Sequence, residues 1–229
     1  MSIDTRTYSR YADQVAKKAL NALLDAASAP EAYRGAMVVL GRQLGDVLER
    51  EVSEESTCLV ASTAEDADFL AHGVLETLQI KHKNTLTAVF WNNHYSIPGG
   101  SVAPIVHKFL QPGYEKADSL IIVKSVISGS CVVRTNILAL IEKLINIKHI
   151  YIVSPVMHSK SEQNLQEEFP EHISSLFKFI YFAKDSTKDA DGEVKPGIGG
   201  QIYHLLGLSE QPAKSSFVPE VVKRLAGIM

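Results

Sequence analysis

The chain has 229 residues, of which 45% are hydrophobic and 21% charged, which fits one large α/β domain of ordinary globular composition. Its formal net charge of −3 leaves no basic surplus, so bulk electrostatics do not favour nucleic acid as a partner. No apolar run approaches the roughly 20 residues that span a bilayer, and the first residues lack an apolar signal core, so we expect a cytoplasmic protein without a membrane partner.

Helical periodicity dominates the first quarter of the chain. Apolar residues recur at helical spacing over residues 7–27 and again over 30–51, where Ser28 and Pro30 provide a helix start. These two segments predict an N-terminal helical arm or cap over residues 1–55. The next predicted elements are a short strand and a helix, at 58–60 and 64–80.

From residue 85 onward, strand and helix patterns alternate. The predicted strands are 86–91, 119–123, 149–154 and 177–183. The predicted helices are 102–110, 132–146, 163–168, 201–206 and 219–228. Such alternation predicts an α/β fold with a mostly parallel sheet flanked by helices, here as one domain with its core at 56–229.

In a parallel sheet the ligand site lies beyond the carboxyl ends of the strands. Here those ends lead into segments rich in Gly, Ser, Asn and His. These segments are 91–95, 124–131, 155–159 and 185–200. The first of them overlaps a loop predicted at 92–100.

One strand end has the pattern of a phosphate site. The turn 128–131 reads Ser-Gly-Ser-Cys and joins the strand 119–123 to the helix predicted from Val132. Free backbone N–H groups and the helix dipole favour an anion at such a turn, and a nearby lysine adds to this. The expected phosphate- and ribose-binding residues are Ser128, Gly129, Ser130, Cys131 and Lys124. The alternative is a tight strand–helix connection that holds no ligand.

Three segments resemble the uracil phosphoribosyltransferase family, which has the type I phosphoribosyltransferase fold. Residues 28–49, SAPEAYRGAMVVLGRQLGDVLE, resemble the N-terminal helix of that family. Residues 121–131 resemble its ribose-phosphate loop, usually close to DPMLATGGS. Residues 179–207, FIYFAKDSTKDADGEVKPGIGGQIYHLLG, resemble the strand and long loop that bind uracil. The resemblance implies base contacts at Val194, Gly199 and Gly200; the alternative is an ordinary Gly-rich surface loop.

The departures from the family concern its charged residues. The Asp that begins its phosphate loop falls on Val123 or Lys124 here, and the Arg of its uracil loop falls on His204. The carboxylates that hold ribose or metal in the family are therefore missing from these positions, and the catalytic residues stay unassigned. Asp118 and Asp185 are the candidates to supply a carboxylate beside Lys124.

Other reactive side chains give weaker signals. Cys131 could be an activated thiol at a helix N-terminus, although a small buried residue is the simpler interpretation. Cys58 and Cys131 lie far apart without metal-ligand spacing, which predicts neither a disulfide nor a metal site. His94 and His158 follow predicted strands and are site candidates, whereas His107, on a predicted helix, reads as structural.

Two functions follow from the resemblance. The first is an enzyme that transfers phosphoribose from phosphoribosyl pyrophosphate to uracil or a related base, with Mg²⁺ needed only if the chain is catalytic. The second is a non-catalytic homologue that binds a nucleotide or phosphosugar, or acts as a regulatory or structural subunit. Both imply a homodimer or a hetero-oligomer with a related subunit, with the helix 30–51 in the interface.

Overall fold

The computed structural model describes residues 6–98 and 100–228. The strands are β1 (Arg6–Tyr8), β2 (Cys58–Thr63), β3 (Thr85–Asn92), β4 (Tyr95–Ile97), β5 (Gly100–Val102), β6 (Ile105–Leu110), β7 (Ser119–Val123), β8 (Val126–Ile127), β9 (His149–His158), β10 (Phe177–Asp185), β11 (Thr187–Lys188) and β12 (Val194–Lys195). The helices are α1 (Gln14–Asp25), α2 (Pro30–Glu51), α3 (Ala64–Ala67), α4 (Leu70–Lys81), α5 (Cys131–Ile141), α6 (Ser161–Glu167), α7 (Glu171–Ser174), α8 (Ile202–Leu205) and α9 (Glu220–Ala226).

The main sheet has the strand order β1-β10-β9-β7-β2-β3-β6, with β8 beside β9. Its central strands β3, β2, β7, β9 and β10 run parallel, and the edge strands β1 and β6 are antiparallel to their neighbours. The strand order reverses between β2 and β7, because the chain goes from β2 outward to β3 and later returns to β7 on the other side. Such a topological switch point is where open α/β sheets bind ligands.

Helices cover both faces of the sheet, which confirms the expected α/β class. Val60 and Ile121 belong to a core cluster that includes residues of α1, α2 and α4. Their chain neighbours Leu59 and Leu120 face the opposite way, into a cluster with α5 and α6. Strands buried on both faces are typical of parallel sheets. In the described residues, no helix is both long and apolar enough to cross a membrane.

Helices α2 and α4 pack with their backbones almost in contact. A Cβ atom at Gly41 would lie 2.1 Å from the carbonyl oxygen of Leu70, and one at Gly73 would lie 2.3 Å from that of Val38. Only glycine allows this approach. The packing fixes α2, whose Tyr33 hydroxyl donates to the carbonyl of Ile198, in the long loop after β10, at 2.9 Å.

The helix predicted at 102–110 is wrong. The structure has the antiparallel edge strand β6 there, paired with β3. Pro104 disfavours the helical conformation of the residue before it, and an edge strand is only half buried, so its apolar residues do not alternate cleanly. His107 therefore lies on a strand, with its ring 6.4 Å from that of Trp91 in an edge-to-face contact.

The predicted N-terminal helix is partly wrong, because Arg6–Tyr8 form a strand antiparallel to β10. Helix α1 starts only after Asp13, whose carboxylate caps it by accepting from the N–H of Ala16 at 2.8 Å. Both α1 and α2 pack into the main core. Residues 1–5 of the predicted arm, and Gly99 of the predicted loop 92–100, lie outside the described residues.

Other boundaries also differ from the sequence prediction. The strand predicted at 149–154 continues to His158, past Pro155, which has no partner in the register with β10. The loop predicted at 92–100 contains the β4–β5 hairpin, and the one predicted at 185–200 contains the β11–β12 hairpin. The helix after the phosphate turn ends at Ile141 instead of about residue 146.

Candidate functional site

A cavity of about 540 Å³ opens at the switch point of the sheet. Three of the four segments predicted from the strand ends help to line it, namely those after β3, β7 and β10. Residues 155–159 are absent from its described lining. The wall consists of Glu65, residues 92 and 94–96, Ser101, residues 124, 126–129 and 131–133, 191–194, Ile198, 200–204, 209–211 and Lys214.

The turn predicted to hold phosphate leads from β8 into α5. The first hydrogen bond of the helix is donated by the N–H of Arg134 to the carbonyl of Ser130 at 2.8 Å. The N–H groups of residues 131–133 come before it and are free of the helical ladder, as at any helix start. Ser128, Gly129 and Cys131 line the cavity. This arrangement suits an anion.

Ser130 is directed differently from its neighbours. Its hydroxyl donates to the carboxylate of Glu168, and it is absent from the described lining of the cavity. Arg134, which could reach a phosphate, lies 3.6 Å from Glu168 in an ion pair. Both side chains are thus engaged with a carboxylate on the far side of the turn.

Lys124 is surrounded by acidic groups that sequence reasoning missed. Its ammonium lies 2.7 Å from Asp66 Oδ2 and 3.3 Å from Glu65 Oε1. The hydroxyl of Thr63 and the N–H of Ser125 also donate to Asp66 Oδ2, at 2.9 and 3.2 Å. The carboxylates missing from the β7 loop are therefore supplied by α3, the short helix that directly follows β2. The motif Ala-Glu-Asp-Ala after a buried strand was the available signal.

Burial and charge set the ionisation of this cluster. Burial raises the pKa of Glu65; the ammonium of Lys124 counteracts the shift, and the carboxylate of Asp66 adds to it. For Lys124, burial lowers the pKa, but the attraction of Asp66 and Glu65 outweighs burial and leaves the pKa above its ordinary value. Lys124 lines the cavity as an ammonium whose charge is already balanced within the chain.

The two carboxylates proposed from sequence to approach Lys124 lie elsewhere. Asp118 accepts a hydrogen bond from Lys148 at 3.1 Å. Asp185, at the end of β10, accepts from Arg6 Nε and Nη2 at 2.8 and 2.7 Å and from the N–H of Gly197 at 2.9 Å. Asp185 therefore anchors the loop that carries the predicted base contacts.

The segment predicted to contact a base borders the same cavity as the phosphate turn. Val194 and Gly200 line it. Gly199 is exposed outside the described lining and faces α1, because a Cβ atom there would lie 3.6 Å from Leu24. Gly199 and Gly200 have φ of +95° and +140°, a region that favours glycine.

The β3 side of the cavity is held by amide side chains. Gln211 accepts from the N–H of His94 at 3.1 Å and donates to its carbonyl at 2.8 Å. Burial, with a smaller effect of Lys124, lowers the pKa of His94, which favours a neutral imidazole. Asn92 donates to Asn136 at 2.9 Å, while its own Oδ1 has no hydrogen-bond partner in the described structure.

The other two candidates, Cys131 and His158, both contact backbone groups. Burial raises the pKa of the half-buried Cys131 thiol, and its sulfur lies 3.3 Å from the carbonyl of Ser101, so the geometry does not support an activated nucleophile. His158 is absent from the described cavity wall, and its Nδ1 accepts from the N–H of Lys160 at 3.3 Å.

The cluster around Lys124 does not fit a metal ion. Within residues 6–98 and 100–228, no group of three or more His, Cys, Asp and Glu side chains could hold one. Glu65 and Asp66 are the acidic pair at the switch point, and the ammonium between them would repel a divalent cation. A protein-bound Mg²⁺ is therefore not supported by the residues present.

Comparison with known proteins gives a fold and no family. No protein-family model matches the chain, and no curated protein matches it. Among solved structures, the AQ2163 protein of Aquifex aeolicus is similar, with 12% identity, a TM-score of 0.67, and coverage of 90% of this chain and 98% of that one. The shared fold is what this likeness shows.

Phosphoribosyltransferases are also among the similar solved structures. Adenine phosphoribosyltransferase from Thermoanaerobacter pseudethanolicus has 7% identity and a TM-score of 0.41, with 62% of this chain and 81% of that chain covered. Hypoxanthine phosphoribosyltransferase from Staphylococcus aureus has 11% identity and a TM-score of 0.41, with 56% and 66% covered. Likenesses this low say nothing about the substrate of this chain.

Proposed function

We propose that this protein binds a sugar phosphate or nucleotide in the switch-point cavity. The phosphate would lie on the turn 128–131 and the first N–H groups of α5, and the sugar or base would lie against the loop 191–204. The observation that carries the proposal is that a turn with free helix N–H groups opens into a cavity at the switch point. A volume of about 540 Å³ suits a ligand of this size.

Binding without phosphoribosyl transfer is the primary candidate. In transfer from phosphoribosyl pyrophosphate, the departing pyrophosphate must be neutralised by cationic groups or metal. The ammonium of Lys124 is already paired with Asp66 and Glu65. The site therefore offers a cradle for an anion but little positive charge for a leaving group.

Transfer of phosphoribose to uracil or a related base is the second candidate. One observation favours it: Val194 and Gly200 line the same cavity as Ser128 and Gly129. The two segments of the sequence that resemble uracil phosphoribosyltransferases thus face a single ligand space. Mg²⁺ would then enter bound to the pyrophosphate of the substrate.

Calorimetry and a product assay separate these candidates. We expect ribose 5-phosphate and nucleoside monophosphates to bind, and uridine and ribose, which lack the phosphate, to bind far more weakly. Incubation with phosphoribosyl pyrophosphate, Mg²⁺ and a panel of bases should release no pyrophosphate. Base-dependent release would establish the transferase instead, and failure of every phosphorylated ligand to bind would contradict both candidates.

A dimer is part of the proposal because the family resemblance implies one. Helix α2 would contribute through the residues not buried against α1 and α4, such as the exposed Val39. Sedimentation equilibrium gives the mass directly, and a monomer at all concentrations would remove this part.

A further inference from the structure

We infer that the ligand of this cavity carries a single phosphate, and that the acidic helix α3, directly after β2, excludes a second, pyrophosphate-like group. The inference rests on the proposed function, because it specifies the ligand of the same cavity. It is carried by the placement of Glu65 and Asp66 beside the phosphate turn.

The acidic helix α3 and the phosphate turn follow neighbouring strands. Strands β2 and β7 pair in parallel, with Ser62 opposite Val123. Paired strands lie about 4.8 Å apart. Glu65 and Asp66 come directly after β2, and the chain from Lys124 to the phosphate turn comes directly after β7. A ligand on the phosphate turn therefore has carboxylates on its β2 side.

These carboxylates are fixed and only partly compensated. Glu65 and Asp66 are 5% and 2% exposed, and Lys124, whose ammonium contacts both, is 8% exposed. Asp66 takes the closer contact with Lys124, and Glu65 lines the cavity. Burial raises the pKa of Glu65, so its negative charge is present only above that raised pKa. At such pH values, because water is largely excluded, repulsion between Glu65 and a second phosphate is weakly screened.

The rest of the wall gives little compensation. Besides Glu65 and Lys124, the charged residues of the described lining are Asp191, Glu193, Glu210 and Lys214. Burial lowers the pKa of His94, which favours a neutral imidazole there. The described lining contains no arginine, the side chain that most often binds phosphate in a bidentate manner. A single phosphate can be held by neutral N–H groups at a helix start. A pyrophosphate needs more positive charge than this wall offers, because Lys124 is already paired and Lys214 is the other lysine of the described lining.

The side of the cavity near Glu65 suits the hydrogen-bond donors of the ligand instead of its phosphate. A carboxylate accepts hydrogen bonds, and Asn92, 6% exposed and lining the cavity, has a side-chain oxygen with no hydrogen-bond partner among the described residues. Both groups suit the hydroxyls of a sugar or an amino group. The ligand class is thus a phosphomonoester with hydrogen-bond donors at its other end.

Ribose 5-phosphate and phosphoribosyl pyrophosphate test the inference, because they differ by the pyrophosphate alone. We expect calorimetry to give a dissociation constant at least about tenfold weaker for phosphoribosyl pyrophosphate, without divalent cations and again with Mg²⁺. Equal or tighter binding of phosphoribosyl pyrophosphate would overturn the inference and leave the proposed function standing. If neither compound binds, a nucleoside monophosphate and its diphosphate make the same comparison, and failure of all four to bind would overturn the proposed function and the inference with it.

A charge-neutral variant of Glu65 tests whether this residue causes the weaker binding of phosphoribosyl pyrophosphate. Glu65→Gln keeps the shape of the side chain, and Lys124 keeps Asp66 as its partner, so we expect the ratio of the two dissociation constants to fall by about threefold or more. Glu54→Gln, at an exposed position outside the cavity, is the matched control and should leave the ratio unchanged. Thermal unfolding followed by circular dichroism checks that both variants fold. An unchanged ratio in folded Glu65→Gln would overturn the role of Glu65.

Discussion

At the scale of single residues, Lys124 and its two carboxylates behave as one unit. All three side chains are almost fully buried, and their contacts are 2.7 and 3.3 Å long. Removing one member of such a buried pair typically costs about 3–5 kcal/mol, because a charge is left without a partner. Lys124 is therefore the member whose loss should cost most, because its ammonium contacts both carboxylates.

The ionisation of Glu65 gives a prediction about stability and pH. Its carboxyl group faces Lys124, Asp66 and Tyr203, and burial raises its pKa above the ordinary value of 4.5. The folded protein thus binds this proton more tightly than the unfolded chain, so its stability falls as pH rises from 4.5 through the folded pKa. Glu65→Gln has no carboxyl group at this position, so its stability should not fall in this way as pH rises.

Urea denaturation at a series of pH values measures the effect. The free energy of unfolding of Glu65→Gln, minus that of the wild type, should become more positive as pH rises from 4.5 and then level off. The same difference for the exposed control Glu54→Gln should stay flat. A constant difference for Glu65→Gln across the whole range would show that burial does not hold the proton on this group.

At the scale of elements, glycines at the contact between α2 and α4 let the two helices pack closely. Gly41→Ala places a methyl group 2.1 Å from the carbonyl oxygen of Leu70, so the helices must separate. We expect the free energy of unfolding to fall by about 1–3 kcal/mol, as in other overpacked cores.

The same helix contains the control for that substitution. Gly35 is exposed on α2, and in the described part of the chain no atom lies within 4 Å of a Cβ position there. Gly35→Ala should therefore stabilise the protein by up to about 1 kcal/mol through helix propensity alone. Chemical denaturation measures the free energy of unfolding of both variants. A Gly41→Ala variant as stable as Gly35→Ala would contradict the close packing of α2 and α4.

Elements differ in how far the sequence determines them. The start of α2 and its apolar stripe were predictable, because Pro30 and a regular period lie within one segment. Strand β6 was not, because a half-exposed edge strand lacks clean alternation and depends on its pairing with β3. The turn at 128–131 was predictable because its small residues and the helix that follows lie within one segment. The partner of Lys124 was not predictable, because Asp66 lies 58 residues earlier in the chain. Such a contact is set by strand order.

At the scale of the whole molecule, the N-terminal strand connects the sheet edge to the cavity wall. Arg6 donates to both carboxylate oxygens of Asp185 and to the carbonyl of Gly197 at 2.6 Å, while Asp185 accepts from the N–H of Gly197. Both charged side chains are buried. The pair thus joins β1, the end of β10 and the loop that carries Val194 and Gly200.

Breaking this pair should affect stability and binding together. We expect Asp185→Asn and Arg6→Met each to lower the free energy of unfolding by about 3–5 kcal/mol, because each leaves a buried charge unpaired. The double variant should lose less than the sum of the two. Denaturation gives these values, and additive losses would contradict a direct interaction. Calorimetry at a temperature where the variants are folded should also show weaker binding of ribose 5-phosphate.

The central claim is that a phosphate binds at the turn beside α5, and one pair of variants tests it most directly. Gly129 lines the cavity and has no positive φ, and no atom of the described residues lies within 4 Å of a Cβ position there, so a side chain should leave the fold intact. Gly129→Asp and Gly129→Asn are matched in size and differ in charge.

Calorimetric titration with ribose 5-phosphate compares the two variants. We predict that Gly129→Asn binds within about threefold of the wild type and that Gly129→Asp binds at least about tenfold more weakly, because its carboxylate repels the phosphate. Equal affinity of the Asp and Asn variants would contradict the claim and remove the turn from the site.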